Sequence, residues 1–298
     1  MKNLLYALLF LYVQQGYAQS SVTPEQRLEA NSYYLAGDWI NTIKSYQSIT
    51  KTEPQNWNAK MRVGVALTNT KKAKEALPYL EEAVKISNGA IPMYYLSSAL
   101  AQLNEKDKAF EWLDKSLQNG LGLQTVFESD ANFIALKSDA RYNKHYEQLK
   151  RNVHPCQYVP EARQFDFWIG EWNALASNGQ PAGKSKIERM LDDCVILENW
   201  TSALPNIYAG KSFNLYNSAT KKWMQTWVDD KGGVTEFING EYKDNKMTFV
   251  TLPDSQKQIT RLTFYDLNPD LVRQHFEVTS DEGKTWATTT DLYYHRIK

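Results

Sequence analysis

Glu198 alternates with Ile196 and Trp200, Gln225 with Trp223 and Trp227, and Gln274 with Val272 and Phe276. Successive side chains of a strand point to opposite faces, so each of these polar groups shares a face with large apolar neighbours. Ser212 and Asn214 share a face in the segment between, and Arg261 shares one with Ile259 and Thr263. A carboxyl buried among such walls needs a partner, and Arg261 is the cation expected to neutralise Glu198. Apolar walls carrying a few placed donors and acceptors describe a small-molecule site, formed here by Glu198, Trp200, Asn214, Gln225, Trp227, Arg261 and Gln274. The same groups equally describe a self-satisfied network filling a solid core. Glu198 is also a candidate general acid or base. No phosphate loop, nucleophile and base pair or metal-ligand cluster accompanies it, so neither a cofactor nor a metal is expected. His275 and His295 alternate with charged or hydroxyl residues, and both are expected at the surface rather than on a haem.

These residues need strands to hold them. From Cys156 onward the pattern shifts towards a period of two, with turn signals at Asn178-Gly179, Asp192-Asp193, Asn217-Ser218, Lys231-Gly232-Gly233, Asp244-Asn245 and Asp281-Glu282-Gly283. Between them lie runs rich in β-branched and aromatic residues, such as Lys222 to Asp229, which read as about ten strands in a meander. Most of the 9 Trp fall in this half. Tight turns without intervening helices point to a closed up-and-down barrel, because closure removes aggregation-prone edges, while a two-sheet sandwich is the competing arrangement.

Phe165-Asp166-Phe167-Trp168-Ile169-Gly170-Glu171-Trp172 resembles the Gly-x-Trp motif that opens lipocalin barrels, and the stretch from about residue 156 to 298 looks like a bacterial lipocalin-like domain. The resemblance continues through Val195 to Trp200, Gly210 to Asn214, Lys222 to Trp227 and Gly283 to Trp286. It implies that Trp172 closes one end of the barrel and that Arg296, from the final strand, stacks on its ring. It transfers no catalytic residues.

The first half has a different periodicity. Ala30, Tyr33, Gly37, Trp39, Tyr46, Ile49 and Pro54 return 34 residues later as Gly64, Leu67, Lys71, Ala73, Leu80, Ala83 and Asn88, and a third copy runs one residue short through Ser97, Leu100, Ala109, Leu113 and Ser116. Small residues at the first position let paired helices approach closely, with Tyr46, Leu80 and Leu113 filling the space between them. Residues 22 to 120 therefore resemble tetratricopeptide (TPR) repeats, with Thr42 departing from the small Ala held by Ala76 and Ala109. Three such copies need a cap. Residues 121–152 are expected to supply it, ending in a helix with Tyr142, Tyr146 and Leu149 on one face and His145 exposed. The resemblance implies a groove for a protein or peptide partner, lined by Arg27, Asn31, Tyr34, Met61, Val65, Asn69, Tyr94, Ser98 and Gln102.

The N-terminus joins Lys2 to an apolar run from Leu4 to Val13, followed by Gly16-Tyr17-Ala18. That is the pattern of a signal peptide over residues 1–18, cleaved after Ala18. About ten apolar residues are too few to span a bilayer, so no membrane span is expected in the mature protein. A periplasmic or secreted location follows, in which Cys156 and Cys194, the two cysteines present, are expected to form a disulfide. Lys and Arg total 34, as do Asp and Glu, which removes the electrostatic case for nucleic acid.

The expected architecture is thus α+β and multidomain: residues 1–18 a signal peptide, 19–152 a TPR-like helical solenoid with capping helices, and 153–298 an antiparallel lipocalin-like β-barrel. The expected role is a non-enzymatic binding and scaffold protein, its groove engaging a protein and its barrel holding a small, partly apolar ligand. An enzyme acting on a small molecule in the barrel, and a purely structural barrel, are the alternatives.

Overall fold

The computed structural model describes residues 21–298, so the signal peptide expected over residues 1–18 lies outside the described residues. The chain divides into two compact units, one ending at Val153 and the other spanning His154–Lys298.

Three helical hairpins open the first unit: α1 (Pro24–Ala36) with α2 (Trp39–Thr52), α3 (Trp57–Asn69) with α4 (Ala73–Ser87), and α5 (Ala90–Gln102) with α6 (Lys106–Gln118). Local chemistry sets the helix ends. Thr23 and Gln26 form a capping box ahead of Pro24, Gly37 ends α1 at φ 70°, and Asp38 and Asn56 cap α2 and α3 with their side chains. Ala30, Gly64 and Ser97 are the close-approach positions of the three copies. A Cβ on Gly64 would stand 2.4 Å from Leu80 Cγ, so only glycine admits the leucine that fills the second hairpin. Tyr46 and Leu113 are buried at the matching positions. Thr42 is fully buried despite its larger side chain, because its hydroxyl donates to the Asp38 carbonyl at 2.7 Å.

The cap consists of α7 (Gln124–Ser129), α8 (Ala131–Ile134) and α9 (Ala140–Val153). Tyr142 and Leu149 are buried on α9. His145 is buried too, contrary to expectation: its ring lies 5.0 Å from that of Phe110, its Nδ1 sits 2.6 Å from the Arg141 carbonyl, and its Nε2 lies 2.9 Å from Asp114. Because α9 packs against α6, a ring on the packed side is covered along with the apolar residues around it.

In the second unit, α10 (Pro155–Tyr158) and short 3-10 turns at Pro160–Arg163 and Asp166–Trp168 precede ten strands. These are β1 (Gly170–Ala176), β2 (Pro181–Met190), β3 (Val195–Ser202), β4 (Ala209–Asn217), β5 (Lys222–Asp229), β6 (Val234–Lys243), β7 (Lys246–Val250), β8 (Ile259–Asn268), β9 (Leu271–Thr279) and β10 (Ala287–Arg296). Each pairs antiparallel with the next, and β1 pairs with β10, so the sheet is a closed up-and-down barrel and not a two-sheet sandwich. Cys156 and Cys194 are joined in a disulfide that ties α10 to the turn before β3.

One end of the barrel is plugged by the segment leading into β1. Phe165 and Trp168 are fully buried there against Phe249, Phe264 and Trp223, with ring centroids 4.5 to 5.9 Å apart. Trp172 donates from Nε1 to the Trp168 carbonyl at 2.9 Å, and the Arg296 guanidinium lies 4.1 Å from its ring centroid. That guanidinium also donates to the carbonyls of Ile169 and Pro269, at 2.9 and 2.6 Å. Gly170 permits the arrangement twice over. Its φ is +143°, and a Cβ there would meet Arg296 Nη1 at 2.1 Å.

Candidate functional site

Above the aromatic plug the barrel interior changes character. Glu198 on β3, Ser185 on β2, Ser212 and Asn214 on β4, Gln225 on β5, Gln274 on β9 and Tyr294 on β10 all point inward and are buried, forming a polar belt. Ser185 donates to one Glu198 oxygen at 2.9 Å and Ser212 to the other at 3.0 Å. The Asn214 amide donates to Ser212 Oγ at 2.9 Å and to the Ile196 carbonyl at 3.0 Å, and Gln225 Nε2 donates to Asn214 Oδ1 at 2.7 Å. On the opposite side, the Tyr294 hydroxyl donates to Gln274 Oε1 at 2.9 Å.

The belt is the floor of a cup of about 340 Å³ that opens at the end away from the plug. Its walls are Trp200, Tyr208, Trp227, Phe237, Phe276 and Leu292, with the hydroxyls of Ser202, Thr235 and Thr290 among them. Phe237 and Phe276 meet with centroids 6.2 Å apart, Trp200 meets Tyr294 at 6.1 Å, and Trp227 donates from Nε1 to the Tyr208 hydroxyl at 3.0 Å. The interior is therefore filled at one end and open at the other.

Burial pushes the Glu198 carboxyl up to about 7, against the opposing effect of hydrogen bonds from Ser185, Ser212 and Tyr294. Burial, with the neighbouring Glu198 adding to it, holds the Tyr294 hydroxyl well above the ordinary phenol range. The cation assigned to Glu198 from the sequence is not there. Arg261 lies on the outer face of β8, ion-paired to Glu277 at 2.8 Å and stacked 4.0 Å from the Trp286 ring, because Leu262 and Phe264 are the residues of β8 that pack in the core. Glu198, Trp200, Gln225, Trp227 and Gln274 are brought together in the cup, with Asn214 supporting from the belt beneath. Arg261 is not. Ser185, Tyr208, Phe237 and Tyr294 were missed: only Ser185 and Tyr294 touch the acid, and nothing local in sequence marks strands β2 and β10 as its neighbours. His275 is on the outer face but is nearly covered, with Nε2 3.0 Å from the Thr288 hydroxyl, while His295 is exposed. Among the described residues no group of three or more His, Cys, Asp or Glu is placed to hold a metal.

The helical unit carries a second cleft, of about 330 Å³. Tyr34, Val65, Asn69, Ser98 and Gln102 line it as the repeat register implies, joined by Trp39, Thr68, Lys71 and Tyr95. Its far side is the cap itself. Tyr94 and Ser98 donate to the Asp130 carboxylate at 3.0 and 2.7 Å, and Gln102 donates to Asn132 at 3.2 Å. Three expected groove residues thus hold the chain's own α7 to α8 connection, which narrows the space left for a partner. Arg27 is ion-paired with Glu53, Asn31 accepts from Arg62, and Met61 and Tyr94 are buried in the core, so these four stand outside the cleft. No helix among the described residues is long and apolar enough to cross a membrane.

No protein-family model matches the chain. Over 147 residues, 47% of its length, the sequence is 25% identical to tetratricopeptide repeat protein 21B of Mus musculus, and the match spans 11% of that protein. Among solved structures, the TPR2B domain of yeast Sti1 in complex with pHsp70 aligns at 21% identity and a TM-score of 0.32, covering 43% of this chain and 94% of that one. MamA from Desulfovibrio magneticus RS-1 aligns at 19% identity and a TM-score of 0.35, covering 46% and 78%. The curated relative is a tetratricopeptide protein, in accord with the repeat register of the helical half.

Proposed function

We propose that this is an exported, non-enzymatic binding protein, in which a TPR-type array engages a protein partner and a lipocalin-like barrel holds a small, partly apolar ligand. The observation that carries the barrel reading is the cup: six large apolar or aromatic side chains stand around a polar floor of Glu198, Gln225, Gln274 and Tyr294. Apolar walls around a few placed polar groups are the make-up of a small-molecule site, and a solid core would leave no such space. The array reading is supported by the 34-residue register and by the cleft beside Tyr34, Val65 and Asn69. Native mass spectrometry of the full exported protein tests the barrel. A bound small molecule released on unfolding is expected, and a ligand-free mass from native cells, with no hit in a small-molecule screen, refutes the reading.

A second reading is favoured by one observation, a buried carboxyl poised at about 7 at the floor of an open cup, where proton transfer to or from a bound molecule is efficient. On that reading Glu198→Gln abolishes turnover of a cup-bound substrate while leaving its binding intact.

A further inference from the structure

Every ionisable side chain that lines the cup is an acid. Glu198 and the phenols of Tyr208 and Tyr294 are present, and no Lys, Arg or His is. The elements around Glu198 repeat this: β2 presents Ser185, β4 presents Ser212 and Asn214, β5 presents Gln225, β9 presents Gln274, and β10 presents Tyr294. Tyr294 is the one titratable group among them. Charged groups beside Tyr208 are Asp229, which accepts from its hydroxyl at 3.2 Å, and Lys231, whose ammonium lies 5.4 Å from its ring.

We propose, on the reading that the cup is a ligand site, that its ligand is an organic ammonium cation, with the charged nitrogen against Glu198 and the hydrocarbon body between Trp200, Trp227, Phe237 and Phe276. Aromatic faces attract cations through the ring quadrupole, and most strongly where water is excluded. The carboxylate supplies the full counter-charge that this desolvated site otherwise lacks. Gln225 and Gln274 line the same cup and present amide groups to polar atoms on the ligand's body. An anionic ligand would have to sit beside the carboxyl with no cation to balance it. A neutral ligand would gain nothing from the carboxylate and would leave its raised proton affinity in place. Binding a cation exchanges the carboxyl proton for the ligand, so affinity rises with pH until the acid is already ionised.

The experiment measures binding to the full chain by Trp fluorescence and calorimetry, using choline against its uncharged carbon isostere 3,3-dimethylbutan-1-ol, and benzylammonium against benzyl alcohol. Each cation is expected to bind at least about tenfold more tightly than its neutral counterpart. Cation affinity is expected to rise about tenfold from pH 6 to pH 8, with a proton released on binding that shows as a dependence of the measured heat on buffer ionisation. Glu198→Gln is expected to equalise each pair, and the wild-type pH profile carries the same information should that variant fold poorly. Neutral compounds binding as well as the cations, or cation affinity flat across this range, overturns the proposal while leaving the cup a small-molecule site. Neither cation binding while native mass spectrometry finds a bound neutral molecule overturns it equally. No bound molecule of any kind takes both readings down together.

Discussion

Replacing Glu198 with Gln should change how stability depends on pH, and the size of the change follows from the burial of the acid. In the folded protein the carboxyl stays protonated up to about 7, whereas in the unfolded chain it ionises above its ordinary value of 4.5. Between those limits the folded state holds a proton that the unfolded state has released. Stability therefore falls as pH rises through this window and levels off above about 7. At about 1.36 kcal/mol per pH unit, the full loss is about 3 kcal/mol. Gln keeps the volume and can still meet the Ser185 and Ser212 hydroxyls, which rotate to suit it, but it does not titrate. Denaturant unfolding of the full chain at pH 4.5, 6 and 8, followed by Trp fluorescence, should show Glu198→Gln gaining about 3 kcal/mol on the wild type between the lowest and highest pH. Carboxylates elsewhere whose values are lowered, such as Asp281 with its hydrogen bonds from Thr285, contribute equally to both proteins and cancel in the difference. Parallel pH profiles for the two proteins would refute the reasoning: the acid would then be solvated or neutralised by a cation, and the ammonium proposal would lose its basis.

Trp172→Ala should destabilise the barrel by about 3 to 5 kcal/mol, the range for emptying a large buried aromatic site. A double-mutant cycle with Arg296→Lys should show coupling, since an ammonium cannot reproduce a guanidinium stacked on the ring; additive effects would place the two side chains out of contact. Exported protein should begin at Gln19 by N-terminal sequencing and show Cys156 linked to Cys194 in non-reducing peptide maps. Loss of that bridge should cost about 3 to 4 kcal/mol in the chain-entropy model. Fragments 22–152 and 153–298 should each fold, the first helical and the second mainly strand by circular dichroism; failure of both would reveal an obligate interface.

Local pattern carried a great deal of this protein. The repeat register, 34 residues and then 33, placed Ala30, Gly64 and Ser97 against the second helices of their hairpins, because close approach needs a small residue wherever the fold repeats it. Strand alternation sent Glu198, Asn214, Gln225 and Gln274 to one side, and all four point into the barrel, since parity along a strand is a covalent property of the chain. The opening motif around Trp172 likewise anticipated the Arg296 contact across the closing strands.

What tertiary structure alone decided is which faces meet and how much room they leave. Residues of β8 alternate between Ile259, Arg261 and Thr263 on one side and Thr260, Leu262 and Phe264 on the other, and both sets contain apolar residues, so parity did not say which set faces inward. The core took Leu262 and Phe264, and Arg261 went outside to Glu277, leaving Glu198 without a cation. In the same way, the repeat register marks Tyr94, Ser98 and Gln102 as groove residues but is silent on what lies across from them. Only the return of the chain through Asp130 and Asn132 uses them up. Whether the barrel is solid or hollow also depends on a sum over ten strands: the Phe165 to Trp168 segment fills one end, and the cup lies at the other. Periodicity is a property of neighbours along the chain, while cavities, counter-ions and covered surfaces belong to residues brought together from far apart.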